Sequence, residues 1–471
     1  MSRGGGSRRA IDFDVLSELL SNDVADGRRE RYQFTWPGKA KARLEARTPT
    51  AKTMRPCPEK SVDWETTQNL YVEGDNLEAL KIMRETYAGK VKLIYIDPPY
   101  NTGMSFVYDD RYAQGKRAYV RDNGPADDGT AAMQGRFHAA WLSMMLPRLT
   151  IARDLLREDG VICISIGEGE LHTLMLLCDE IFGEDERITV FSRVTKRSGN
   201  NGTQFSPCVD YVLVYAKDAR RVSPYQTGLS DEIVARYNKR DEHVRQRGPY
   251  QEVSLYQAAL KHGGSHYPIT CPDGTQAVPP EGRPWRWNQA RLRRGLEEGR
   301  IVFKRSRRTP LLDPATGRQS AWNIYTKMYL KEREKNGLHP KNFSDAFQNV
   351  LAAAELRRLG MRFDFAKPTA LIRHFVTLQT TGDDLVLDFF SGSGTTAHAV
   401  MQANAADGGH RRWIMVQDAA PIRDGAFPTI SALGEERIRR AGATLRETAG
   451  AEADLGFTSL RIEDGREAPH D

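Results

Sequence analysis

Val91-Lys92-Leu93-Ile94-Tyr95-Ile96-Asp97-Pro98-Pro99-Tyr100-Asn101-Thr102-Gly103 is the stretch from which the fold can be read. Its apolar run, Leu93 to Ile96, has no polar alternation and predicts a strand buried on both faces. The run stops at Asp-Pro-Pro-Tyr. Two prolines cannot donate to a β-ladder, and each fixes its own φ, so the chain leaves the sheet stiffly. A carboxylate, rigid carbonyls and an aromatic ring are thereby held at the carboxyl end of a strand, where open α/β sheets place their ligands. A plain proline turn after a strand would account for Asp-Pro, but not for the four-residue combination.

The flanks continue an α/β rhythm. Upstream, Leu70-Tyr71-Val72 reads as a short strand and Asn76 to Tyr87 as a helix, with Leu77, Leu80, Ile82 and Met83 forming its apolar stripe. Asp75 stands where an N-cap is wanted. Downstream, residues 103–135 are polar and glycine-containing, and such long stretches are either functional loops or plain insertions. A helix is expected from Phe137 to Leu156 with Pro147 kinking it, ended by Asp159-Gly160. Val161 to Ile166 is the next strand, and Ile188–Phe191 with Tyr211–Tyr215 reads as an antiparallel pair.

From Asp218 to about Asn349 the rhythm fails. Trp285-Arg286-Trp287 opens a basic run there. Between Arg291 and Arg308 eight basic side chains stand against two acidic ones, an excess equal to the net charge of +6 for the whole chain. Such a run is ordinarily a solvated helix face. Aromatic residues interleaved with Arg291, Arg293, Arg294, Lys304 and Arg305 point instead to contact with nucleic-acid phosphates. Regularity returns at Ala353. Asp384 to Phe389 is a strand, Phe390-Ser391-Gly392-Ser393-Gly394-Thr395-Thr396 a glycine-rich turn, and Ala397 to Ala403 a helix. Arg412 to Gln417 is a further strand. A helix from Ser431 to Leu445 and a strand from Phe457 to Ile462 close the chain.

A length of 471 residues accommodates a large core and an extra module. No run approaches the ~18 apolar residues a membrane span needs, and Met1 to Arg9 lacks the apolar segment of a signal peptide. Cys57, Cys163, Cys178, Cys208 and Cys271 share no Cys-x-x-Cys spacing, so they read as reduced structural residues in a cytoplasmic protein, with no metal site.

Asp97-Pro98-Pro99-Tyr100 resembles the catalytic motif of methyltransferases that modify amino groups of DNA bases, above all N6 of adenine. The text from Asn69 to Leu77 and on through Gly103 is similar to the modification subunit of type III restriction–modification systems. Phe389 to Gly394 resembles the S-adenosylmethionine motif of that family, and Phe363 to Ile372 its accompanying Lys-Pro motif. Asp97 and Asp388 stand 291 residues apart, catalytic motif first. The resemblance therefore implies the β motif order, a circular permutation of a Rossmann-like seven-stranded methyltransferase sheet with one antiparallel strand. It also implies an inserted target-recognition region.

The implied organisation is an N-terminal tail and arm (1–60), a catalytic half (61–217), a target-recognition region (218–352) and a cofactor-binding half (353–471). The resemblance assigns the chemistry to Asp97, Pro98, Pro99 and Tyr100. It assigns the cofactor to Asp75, Lys367, Asp388, Phe390, Ser391, Gly392, Gly394, Thr395 and Gln417, with Asp418 as the alternative to Gln417. Residues 103–135 become a lid over the base. Double-stranded DNA, a restriction subunit and a second copy of the chain are the implied partners. Little follows the final strand, which keeps a solitary or defence-associated enzyme open. Three alternatives stand beside this reading: an N4-cytosine enzyme, a nicotinamide-dependent oxidoreductase suggested by Gly392-x-Gly394-x-x-Ala397, and a silent DNA-binding module.

Overall fold

The computed structural model describes residues 33–101, 130–197, 204–257, 264–363, 366–422, 426–449 and 453–465. In chain order the first strands are β1 (Lys52–Pro56), β2 (Leu70–Glu73), β3 (Val91–Ile96), β4 (Leu156–Ile166), β5 (Arg187–Val194) and β6 (Val209–Ala216). The inserted region holds β7 (Tyr250–Ser254), β8 (Ile269–Thr270), β9 (Gln276–Ala277), β10 (Ile301–Arg305) and β11 (Trp322–Tyr329). Then come β12 (Phe343–Ser344), β13 (Leu385–Asp388), β14 (Arg412–Gln417) and β15 (Thr458–Asp464).

Ten of these strands form one mixed sheet, in the order β1-β15-β2-β14-β13-β3-β4-β6-β5-β12. Seven of the strands read from the sequence form its centre; β15, also read there, and β1 extend one edge, and β12 extends the other. β6 runs antiparallel to β4 and β5, and β1 antiparallel to β15, so a second reversed strand joins the expected one. β13 and β3 are parallel neighbours, with Val386 opposite Leu93 and Leu387 opposite Ile94. The glycine-rich turn and the Asp-Pro-Pro-Tyr motif therefore leave the sheet side by side.

Every residue of β3 is buried. The reason is visible in the two cores. Ile94 and Ile96 face one cluster with Leu80, Trp141 and Leu177, while Leu93 and Tyr95 face the other with Phe375, Val400 and Ile438. Successive strand side chains point to opposite faces, so a sheet covered on both sides needs apolar residues throughout. Each large apolar side chain so buried contributes roughly 1.5–3 kcal/mol. Lys92 is the exception. Its ammonium reaches the end of the sheet and meets Asp159, at 2.6 Å from the main-chain oxygen and 2.8 Å from the carboxylate.

Two boundaries move. The helix expected from Phe137 spans Thr130–Leu155, with Pro147 inside it. β4 then begins at Leu156, and Asp159-Gly160 falls inside the strand, at a register shift against β3, rather than ending the helix. The arm is also more than a tail: Trp36 is buried, and β1 extends the sheet. Residues 1–32 lie outside the described residues, as does the expected lid up to residue 129.

The inserted region has a core of its own, around Leu255, Trp285, Leu292, Leu311 and Ile324, beneath the antiparallel sheet β10-β11-β7. All five cysteines are free thiols, four of them buried. Among the described residues, no helix is long and apolar enough to cross a membrane.

Candidate active site

At the carboxyl ends of β3, β13 and β14 the sheet opens into a cavity of about 280 Å³, lined by Asp75, Asp97, Lys367, Asp388, Phe390 and Gln417 among others. Residues far apart in the chain thus meet as expected. The Asp-Pro-Pro-Tyr segment is held from behind: the Trp141 indole donates to the Pro99 carbonyl at 2.7 Å. Among the described residues nothing donates to the Pro98 carbonyl. Asn101 adopts φ of 56°, a left-handed conformation that asparagine tolerates. Its side-chain amide donates to Glu170 at 2.6 Å, and His138 meets the same carboxylate oxygen at 2.7 Å. Glu170 is almost fully buried. It pins the turn that follows the motif.

Asp97 does not face an empty cavity. The Lys367 ammonium donates to both of its oxygens, at 2.8 and 2.7 Å, and lies 4.7 Å from the centroid of the Tyr100 ring. Lys367 is buried, while the Asp97 carboxylate keeps some exposure to the cavity. The Tyr100 hydroxyl is also buried and has no hydrogen-bond partner among the described residues. Burial pushes its phenol well above the ordinary value. An unsatisfied buried hydroxyl costs roughly 1–3 kcal/mol. Tyr100→Phe is therefore expected to match or exceed the wild-type protein in stability by urea unfolding. A clear loss would mean that the hydroxyl has a partner.

In the glycine-rich turn, Gly392 (φ 51°) and Gly394 (φ 74°) take left-handed backbone that L side chains rarely adopt. A Cβ at Gly392 would meet only the Phe390 carbonyl, at 4.0 Å, whereas one at Gly394 would come within 3.1 Å of the Gly434 carbonyl. The amides of Ser391, Gly392 and Gly394 do not stand free. They donate to the Val416 carbonyl, the Gln417 side chain and the Ser391 carbonyl. What the turn offers the cavity is the Ser391 hydroxyl, buried and close to the Tyr71 phenol. Phe390 adds an apolar wall, tilted against Phe389 at 5.4 Å. Asp388 lies at its base with both oxygens engaged, one by the Phe390 amide at 3.0 Å and one by Thr396 at 2.5 Å. Burial nevertheless raises its carboxyl to about 7, with the nearby Asp97 adding to the shift.

Gln417 is doubly engaged. Its side-chain oxygen accepts from Gly392 at 2.8 Å and its amide donates to Asp418 at 2.8 Å, which directs that exposed carboxylate at the cavity rim. Asp75 caps the helix Asn76–Tyr87 through the amides of Leu77 and Glu78, and its second oxygen is 3.4 Å from Arg148. Arg148 also donates to Asn76, and Asn76 to the Phe389 carbonyl at 2.7 Å, so this helix start is tied to the turn after β13.

Arg437 was invisible to sequence reasoning. It comes from the helix Ile430–Ala449 and is fully buried. It donates to Ser393 at 2.7 Å, Thr395 at 2.6 Å and Thr369 at 3.1 Å, joining the glycine-rich turn to the residue after Lys367-Pro368. Burial lowers its guanidinium to about 10. Arg148, Glu170 and Trp141 were likewise missed as site residues. A polar residue on the apolar face of a helix was the one signal available, and it is a weak one.

The basic run lies apart from this cavity, on the helix Gln289–Glu297 and β10. Arg300 is bound by Glu332 at 2.8 and 2.7 Å, and Lys304 pairs with Glu252. Arg305 stacks over Trp322 and Arg291 over Trp287. Arg291, Arg293 and Arg294 are exposed and pair with no carboxylate among the described residues. They form the better candidate for an anion-contacting face, and Lys304 the weaker.

Residues 91–417 match the N6_N4_Mtase family model, described as DNA methylase. Over 478 residues the chain is 34% identical to the type III restriction–modification enzyme StyLTI Mod subunit of Salmonella typhimurium, covering 96% of this chain and 68% of that protein. It is 29% identical to the EcoPI Mod subunit of Escherichia phage P1, over 96% of this chain and 74% of the other. With the EcoP15I Mod subunit of Escherichia coli the identity is 30%, over 92% and 72%.

Proposed function

This chain belongs to the DNA methylase family, alongside the modification subunits of type III restriction–modification enzymes, and from that premise we propose that it methylates N6 of adenine in double-stranded DNA. The methyl donor is S-adenosylmethionine. The observation that carries the reading is the adjacency of β3 and β13, which brings Asp97 and Pro99 onto one cavity with Phe390, Ser391, Gly392 and Thr395, while the Tyr100 ring lies against Lys367 beside it. That family membership leaves no role for the nicotinamide-dependent alternative.

The cavity fits the cofactor's chemistry. Asp388 is a desolvated carboxylate suited to an ammonium group, Ser391 a buried hydroxyl on the cavity wall, and Phe390 an apolar wall. Asp418, directed by Gln417, is placed for ribose hydroxyls, and Asp75 for an adenine amine while it also caps its helix. Lys367 serves the carboxylate end, with Gly392, Gly394 and Thr395 shaping the turn. Bound there, S-adenosylmethionine supplies a methyl group activated by a sulfonium.

The exocyclic amine of a base is a poor nucleophile because its lone pair is delocalised into the ring. Accepting its two hydrogens, at the Asp97 carboxylate and the Pro98 carbonyl, favours a pyramidal nitrogen and stabilises positive charge as it develops there. Trp141 keeps the Pro99 carbonyl engaged and the turn rigid, so the acceptors are preorganised. The target must leave the duplex, because its amine is paired inside it. Tyr100 gives the extruded base a stacking face. Incubation with unmethylated duplex DNA and cofactor, followed by base-resolution mapping, tests the reading. N6-methyladenine in one sequence context is expected; N4-methylcytosine or no modification would overturn it.

We assign residues 218–352 to target recognition, between a catalytic half (61–217) and a cofactor-binding half (353–471), with 1–60 as an arm. We read the seven central strands as a circularly permuted, Rossmann-like methyltransferase sheet. Work on chromosomal DNA goes with a cytoplasmic location, a restriction subunit as partner and a second copy of the chain. Replacing Arg291, Arg293 and Arg294 together with Gln should weaken DNA binding and reduce its salt slope by about one for each phosphate no longer neutralised. An unchanged slope would return these arginines to a solvated face.

A further inference from the structure

Two roles assigned to the catalytic motif, an acceptor at Asp97 and a stacking face at Tyr100, are met in this structure by one group. The Lys367 ammonium bonds both Asp97 oxygens at 2.8 and 2.7 Å and sits 4.7 Å from the Tyr100 ring centroid. It occupies the position that an extruded base would need, offering N–H donors to the carboxylate and a cation to the ring. Neutral amine and ammonium cannot share that place. A cation held against Asp97 would also oppose the positive charge that appears on the amine during transfer.

The lysine backbone is fixed. Pro368 precedes the helix Thr369–Gln379, whose first residue is held by Glu355 at 3.0 and 2.6 Å and by Arg437. The side chain is a flexible four-carbon stem on that anchor, with several rotatable bonds between it and the ammonium. Lys367 lines the same cavity as Ser391, Asp388 and Gly392. An anionic group bound there is the natural competitor for its ammonium.

We propose that Lys367 is a positioning residue that couples the two halves of the site. It caps Asp97 while the cofactor site is empty, and the α-carboxylate of the bound cofactor draws it away, which opens Asp97 and Tyr100 to the base. Base entry then follows cofactor binding. The proposal rests on the cofactor assigned above but not on which base is methylated.

The coupling can be measured without DNA. S-adenosylhomocysteine carries the α-carboxylate; 5′-methylthioadenosine has the same adenosine and sulfur without it. Calorimetry with both ligands is run on wild type, Asp97→Asn, Lys367→Met and the double variant, with Lys367→Gln as a second neutral form should the methionine variant fold poorly. Freeing the lysine should tighten S-adenosylhomocysteine in Asp97→Asn, and that gain should vanish when Lys367 is also replaced. Coupling between sites commonly amounts to roughly 5- to 150-fold in affinity. Methylthioadenosine should bind all four proteins alike. A gain that persists without Lys367, or full S-adenosylhomocysteine affinity in Lys367→Met, would overturn the coupling. If wild type bound neither ligand, the cofactor assignment would fall and the coupling with it, whereas N4-cytosine methylation would leave both intact.

Discussion

Asp97→Ala is expected to lower single-turnover methyl transfer by roughly 10²- to 10⁴-fold, the range for removing a positioned proton acceptor, while cofactor binding remains measurable. In the proposed mechanism the carboxylate acts on the amine as its nitrogen changes geometry, so its loss should fall on the transfer step rather than on assembly of the complex. The ion pair to Lys367 adds a second consequence. Alanine leaves a buried ammonium with its bidentate partner gone. Breaking one side of a buried pair costs about 3–5 kcal/mol, with the lower end appropriate to a carboxylate that retains some exposure. Asp97→Asn keeps the shape and one acceptor, and should be less destabilising while transferring methyl groups almost as poorly. Transfer rates and urea unfolding on the three proteins separate the two effects. Near wild-type transfer by Asp97→Ala would remove the carboxylate from the mechanism.

The parts of this site that sequence made legible are those encoded locally. β3, the helix Asn76–Tyr87 with Asp75 at its cap, and β14 follow from apolar spacing within a few residues. The edge strands were not legible because an edge can be polar on both faces. β1 is Lys-Thr-Met-Arg-Pro, largely exposed, and β12 is two residues long. Polar partnerships were hidden for another reason. Lys367 and Asp97 are 270 residues apart, and Arg437 and Thr395 are 42 apart. No periodicity records such a choice of partner; only the packed fold brings the groups together. The basic run shows the converse. Its charge excess was plain in the sequence, but Glu252 and Glu332, which engage Lys304 and Arg300, come from other strands and helices.

Asp388→Asn is expected to stabilise the cofactor-free protein at pH 7.5 by up to about 4 kcal/mol, at 1.36 kcal/mol for each unit of pKa shift. Most carboxylates in folded proteins are favoured by their partners, and their loss is destabilising. Asp388 is the reverse case, because burial raises its carboxyl from 3.8 to about 7 despite bonds from Phe390 and Thr396. The folded state therefore holds the proton more tightly than the unfolded one. Stability is unaffected well below 3.8, where both states are protonated, and falls as pH rises from about 4 to about 7, beyond which the penalty is constant. Asparagine has no charge to desolvate, and its amide can donate to the Thr396 hydroxyl while its oxygen still accepts from Phe390. The stability difference between variant and wild type should accordingly be small at pH 4.5 and large at pH 7.5 in urea unfolding. The compensating cost is functional. A buried carboxylate poised to ionise is suited to the ammonium of S-adenosylmethionine, so the more stable variant should bind S-adenosylhomocysteine more weakly, a trade between stability and activity seen where sites hold unfavourable groups. An Asp388→Asn protein no more stable than wild type at pH 7.5 would show that this carboxylate is already well solvated or paired, and would leave its place in the cavity without an electrostatic purpose.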